Sequence, residues 1–126
     1  MQVYKYSSIV TSDASGDAAV ETLQTNGELI SIQYTKADMD AYADTVDFSI
    51  TNTDTGEIIW EEDNVTATKI VYPEHPTNSQ DGSQNDHGAS TTGIYDKFYM
   101  CDSSLTITIS NAGDTKTGTF TMIYKK

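Results

Sequence analysis

The chain contains no arginine: its seven basic residues are all lysines, set against 19 aspartates and glutamates, for a formal net charge of −12. Lacking the planar guanidinium fork that grips phosphates and base edges, and carrying a charge that repels them, it is not expected to bind nucleic acid. Cysteine occurs once, at Cys101, so no internal disulfide can form and stability must come from apolar burial and sheet pairing. That suits synthesis in a reducing cytoplasm. No apolar run approaches the roughly 18 residues a membrane helix needs, and Met1 to Tyr6 shows no basic start leading into an apolar stretch. Neither a membrane span nor a secretory leader is expected. Proline occurs twice and glycine eight times, and no glycine-rich loop precedes a helical pattern to cradle a phosphate.

At 126 residues the chain has the ordinary length of one domain, and residues 1–126 are read as a single all-β unit. Threonine is abundant and tyrosine occurs eight times, both suited to pleated, half-exposed sheet surfaces. In residues 46–53, Val46, Phe48 and Ile50 alternate with Asp47, Ser49 and Thr51, the pattern of a half-buried antiparallel strand. Asp54-Thr55-Gly56 then reverses the chain, and Ile58 and Trp60 continue the alternation, predicting a hairpin over 46–62 with Trp60 in the core.

Asn26-Gly27 carries hairpin-turn chemistry and predicts that residues 19–25 pair with 29–35. Near the C-terminus, Leu105, Ile107 and Ile109 alternate with hydroxyl residues before Asn111-Ala112-Gly113-Asp114, predicting a third hairpin with 119–124. Further strands are expected over 3–10, 67–72 and 94–101, while 36–45 reads as a loop with at most one helical turn. The expected fold is a β-sandwich or jelly-roll-like barrel of about eight to nine antiparallel strands. Residues 73–93 interrupt it with a long polar loop, rich in Asn, Gln, Ser and Asp, that holds no large apolar side chain. Such an arm is either a surface insertion or a functional segment that another surface orders.

Several constellations bear weighing. His75 and His87, with Asp81 and Asp86, are conceivable zinc ligands, but twelve positions separate the histidines, unlike the tight pairs of structural zinc sites, and solvated loop residues are the simpler expectation. Asp13 and Asp17 around Ser15-Gly16, and the cluster Asp38, Asp40 and Asp44, offer the hard oxygens calcium uses, without matching an EF-hand. In so acidic a chain a solvated surface is the simpler expectation for them. No metal or other cofactor is therefore expected. Ser15 lacks the glycine two positions earlier that a nucleophile elbow requires, and the many acidic residues single out no catalytic pair. No enzymatic activity is expected. Cys101, following Phe98-Tyr99-Met100, reads as a buried structural thiol. Asn64-Val65-Thr66 forms a glycosylation sequon that has meaning only in a secreted protein. The eight tyrosines could build a stacking platform or an interface, or could simply fill strand positions.

The stretch Phe98-Tyr99-Met100, then Ser104 through Gly118, resembles small β-rich virion proteins of tailed bacteriophages. The turn at residues 11–17, the Asp54-Thr55-Gly56-Glu57 hairpin and the Val71-Tyr72-Pro73 exit into the polar arm are similar in layout. The resemblance implies a head decoration or cement protein on the capsid surface, binding the major capsid protein and copies of itself, often as a trimer. Two alternatives remain open. One is a carbohydrate- or receptor-binding β-sandwich module, in which calcium is conceivable; the other is a head-to-tail or tail structural protein.

Overall fold

Strands whose apolar residues recur at every second position have one oily face each, and two sheets of them bury those faces by packing together. The computed structural model, which describes residues 2–76 and 95–126, shows that arrangement. In chain order the strands are β1 (Val3–Thr11), β2 (Ala18–Glu21), β3 (Thr25–Lys36), β4 (Asp47–Asn52), β5 (Ile58–Glu62), β6 (Lys69–Val71), β7 (Glu74–Pro76), β8 (Tyr95–Lys97), β9 (Tyr99–Ser103), β10 (Leu105–Ser110) and β11 (Thr117–Lys125). One sheet runs β1-β11-β3-β6, with β9 also paired to β3, and the other runs β2-β10-β4-β5. A two-stranded ribbon, β7-β8, stands apart, and all strand pairs are antiparallel. The described residues contain no helix, so the all-β reading holds. The strand count exceeds the expected one because the ribbon is new and the 94–101 segment is split around Phe98.

The core lies between the sheets. Leu29, Ile32 and Tyr34 of β3 and Phe120, Met122 and Tyr124 of β11 meet Phe48 and Ile50 of β4 and Leu105, Ile107 and Ile109 of β10. Phe48 is the hub: its ring stands edge-on to Tyr34 at 4.8 Å, Phe120 at 5.0 Å and Trp60 at 5.5 Å. Burying one such side chain contributes about 1.5–3 kcal/mol, and each edge-to-face pair adds about 0.5–1.5 kcal/mol.

The 46–62 hairpin forms as expected, with Ile50 opposite Trp60. Its turn is held by Asn52, whose Oδ1 accepts the backbone N–H of Asp54 at 2.9 Å and of Thr55 at 3.2 Å. Beyond Lys36 the 36–45 segment is a loop, with an isolated bridge from Ala41 to Thr117 of β11.

Two expected hairpins do not form. Asn26-Gly27 is no turn: β3 runs straight through it, and β2 pairs with β10 instead. The dipeptide makes a bulge against β9, where pairing slips between Thr25 and Gly27, and the Asn26 Oδ1 accepts the N–H of Asp102 at 2.7 Å. Bulges and turns draw on the same residues, those that tolerate positive φ, which is why local chemistry did not separate them. Likewise β10 and β11 lie in different sheets, so residues 111–116 form an arch between layers. Asn111 and Thr115 take positive φ there, and the arch is tied to other loops: Ser12 Oγ donates to the Gly113 carbonyl at 2.6 Å, the N–H of Ala112 to Gly16 O at 3.0 Å, and the N–H of Ala43 to Ala112 O at 2.9 Å. Those tertiary bonds, invisible in the local pattern, choose arch over hairpin.

Candidate functional site at the root of the polar arm

The outer edge of β3 is shared by two strands. β9 covers its first half through Gly27–Met100 and Glu28–Tyr99, and β6 its second through Gln33–Ile70 and Ile32–Val71. Between them the chain leaves the sheet as the β7-β8 ribbon, with Glu74 opposite Lys97 and Pro76 opposite Tyr95. Buried Phe98 anchors the ribbon, since its carbonyl accepts the Leu29 N–H at 2.8 Å and its ring meets His75 at 4.9 Å. Lys97 Nζ lies 3.3 Å from Glu74 Oε1, an exposed pair of small energetic worth.

Strand parity turns the alternate side chains outward here. Ile70, Tyr72, Tyr95 and Tyr99 are exposed by 47, 62, 54 and 72% of their surface. Tyrosines of this kind, apolar in body and polar at the tip, are the residues interfaces favour. Of the long polar loop itself, residues 77–93 lie outside the described residues, as do His87, Asp81 and Asp86.

The acidic candidates have other occupations. Asp13 Oδ1 accepts the backbone N–H groups of Ser15 at 2.8 Å and Asp17 at 3.0 Å, so this carboxylate closes its own turn. Asp44 lies 3.6 Å from Lys36 Nζ, Asp40 lies 3.8 Å from Lys116 Nζ, and Asp38 points away from the core as an exposed residue. Among the described residues no three His, Cys, Asp or Glu side chains converge to hold a metal ion. Asn64, in the sequon, sits at positive φ and donates its N–H to Asp47 Oδ1 at 3.0 Å.

Cys101 is exposed rather than buried. On β9 the parity places Met100 inward and Cys101 outward, and the apolar run before it gave no phase from which to tell them apart.

The tyrosines divide by role. Tyr34 and Tyr42 stack at 5.8 Å within the core, and the Tyr42 hydroxyl donates to the Val10 carbonyl. Burial, with Tyr34 close by, pushes the Tyr42 hydroxyl well above the usual range despite an opposing pull from the Gly118 backbone. Burial likewise raises Tyr34, with the Asp44 charge adding to it.

A feature that sequence reasoning missed is a cleft at one end of the sandwich. On the core face of β1, Tyr4, Tyr6, Ser8 and Val10 follow one another, and only Val10 is buried. Tyr4 pairs with Tyr124 across β1 and β11, and together with Tyr6 and the Gln24-Thr25-Asn26 entry to β3 they enclose a hollow of about 260 Å³. The walls come from both ends of the chain, and only the spacing of Tyr4 and Tyr6 hinted at a shared face. The sequence matches no protein-family model and no curated protein.

Proposed function

We propose that this protein is a non-enzymatic structural component of a tailed-bacteriophage virion, a head decoration protein that clamps neighbouring capsid subunits. The reading rests on the resemblance of the C-terminal segment and arm exit to small virion proteins. The observation that carries its mechanism is the group of exposed apolar side chains, Ile70, Tyr72, Tyr95 and Tyr99, at the root of the polar arm. A rigid two-sheet body presents these side chains on or beside short paired strands, so little backbone freedom is lost when a shell surface covers them. The net charge of −12 adds long-range attraction to a lysine- or arginine-bearing shell, and on that shell the charge would also be neutralised enough for copies to sit together as trimers.

A cement protein stabilises by mass action. It binds the closed joint between subunits and not the opened one, so rupture must also break its contacts, and many copies multiply the effect. The test compares heads assembled with and without the protein under heating and osmotic shock. Decorated heads are expected to survive to higher temperature and larger shock. Identical rupture thresholds would exclude cementing.

A further inference from the structure

The geometry points to a saccharide-binding site in the cleft between the start of β1 and the end of β11. This inference stands independently of the virion reading. Tyr4 and Tyr6 supply ring surface on one wall, and Gln24, Thr25 and Asn26 supply amide and hydroxyl groups on the other. Lys126 stands at the rim, its Nζ 6.0 Å from the centre of the Tyr4 ring. In a chain with 19 acidic residues, none of the described residues lining this hollow is acidic.

The floor carries the second observation. Tyr124 is 2% exposed, and among the described residues its hydroxyl has no hydrogen-bond partner. Burial raises its pKa, the Thr25 side chain opposes that without reaching full hydrogen-bond geometry, and Tyr6 adds a smaller push upward. Tyr124, Thr25 and Tyr6 all line the cleft, so the orphan hydroxyl lies beneath its floor, closed to solvent. Native proteins leave few buried polar groups unpaired, and an orphan just beneath a cleft floor is a group that a ligand hydroxyl can satisfy when the floor yields to it. Asn26 is pre-set as well: its Oδ1 is held by the Asp102 N–H at 2.7 Å, which leaves the Nδ2 donor for another partner.

Ligand class follows from what each alternative would leave unused. A metal ion needs carboxylates, and no described residue of the walls has one in its side chain; a phosphate group would meet a single lysine among the described residues. A purely apolar ligand would leave the Tyr124 hydroxyl and both amides without partners. A sugar uses everything present: its C–H face packs on tyrosine rings and its hydroxyls bond the amides and hydroxyls. At about 260 Å³ the hollow falls just below the roughly 300–1,000 Å³ of drug-sized sites, which suits the terminal ring of a glycan.

The experiment follows backbone amide NMR signals of the full chain during titration to tens of millimolar with N-acetylglucosamine, galactose and glucuronic acid, and separately with phenol and inorganic phosphate. At least one sugar is expected to give saturable shifts centred on Tyr4, Tyr6, Thr25, Asn26 and Tyr124. Tyr124→Phe removes only the orphan hydroxyl, so it should fold as well as the parent while raising the sugar Kd about 3- to 10-fold. Gln24→Ala, at an exposed position, should weaken binding in the same sense. The inference is overturned by no saturable shift with any of the three sugars, by shifts with phenol or phosphate alone, or by unchanged sugar affinity in both variants.

Discussion

Tyr42 donates its hydroxyl to the carbonyl of Val10, so the loop between β3 and β4 is pinned to the first strand from inside the core. Around this bond Tyr42 stacks on Tyr34, nearly parallel at 7°, and Tyr34 in turn meets Phe48 of the opposite sheet. A polar bond thus sits at the edge of an aromatic cluster that joins both layers.

That placement sets the response to alkali. Tyr34, Tyr42 and Tyr124 all have hydroxyls raised above the ordinary value of 10.0, with burial as the main cause. Above pH 10.0 the unfolded chain releases these protons while the folded chain keeps them, so unfolding is favoured increasingly as pH rises. Stability should be fully present below that pH and fall above it, continuing until the folded hydroxyls ionise too. Urea midpoints measured on both sides of pH 10.0 test this. Tyr42→Phe should cost about 0.5–1.5 kcal/mol at neutral pH and make the alkaline decline shallower. An unchanged slope would show that Tyr42 contributes nothing to it.

Gly118 on β11 lies under the same two rings. A Cβ added there would come within 2.6 Å of Tyr42 Cε2 and 2.8 Å of Tyr34 Cε1, closer than any relaxed contact. In an exposed strand, replacing glycine with alanine usually helps by reducing the freedom of the unfolded chain. Here overpacking should win: Gly118→Ala is expected to destabilise by about 1–3 kcal/mol and lower Tm by several degrees. A variant as stable as the parent would mean that the stacked rings move aside without cost.

Legibility in the sequence followed the range over which each feature is decided. The β4-β5 hairpin was readable because Phe48, Ile50 and Trp60 share one face and Asn52 holds the turn within a few positions. The partners of β10 and β11 were not, because the same Asn111-Ala112-Gly113-Asp114 stretch serves an arch as well as a hairpin, and distant Ser12, Gly16 and Ala43 decide between them. The arm was evident from composition, but its ribbon depends on Phe98 reaching β3. The cleft was out of reach, since its walls are brought together only by the pairing of β1 and β3 on either side of β11.

Gly27 tests the reinterpreted Asn-Gly pair. Its φ of +123° is one that L side chains rarely adopt, and a Cβ would lie 2.7 Å from the Lys125 carbonyl oxygen. In a two-residue turn, alanine would strain the backbone alone. In the observed bulge it also pushes on β11, beside the cleft. Gly27→Ala is therefore expected to cost about 1–3 kcal/mol and to shift amide signals of Tyr124 and Lys125 along with its own neighbours. Shifts confined to residues 24–30 would argue for an isolated turn.

The arm root separates binding from folding. Tyr72 and Tyr99 are mostly solvent-exposed and donate no side-chain bond among those between described residues, so replacing both with serine should leave the free energy of unfolding within about 0.5 kcal/mol of the parental value. If these rings are the anchors on a capsid, the same double variant should lose most of its occupancy on purified heads, because truncating buried interface tyrosines typically costs upward of about 2 kcal/mol where they are central to the contact. Co-sedimentation of wild-type and Tyr72→Ser/Tyr99→Ser protein with undecorated heads measures it. Undiminished occupancy would move the contact to another face, the exposed Val3 and Ile9 of β1 being next in line.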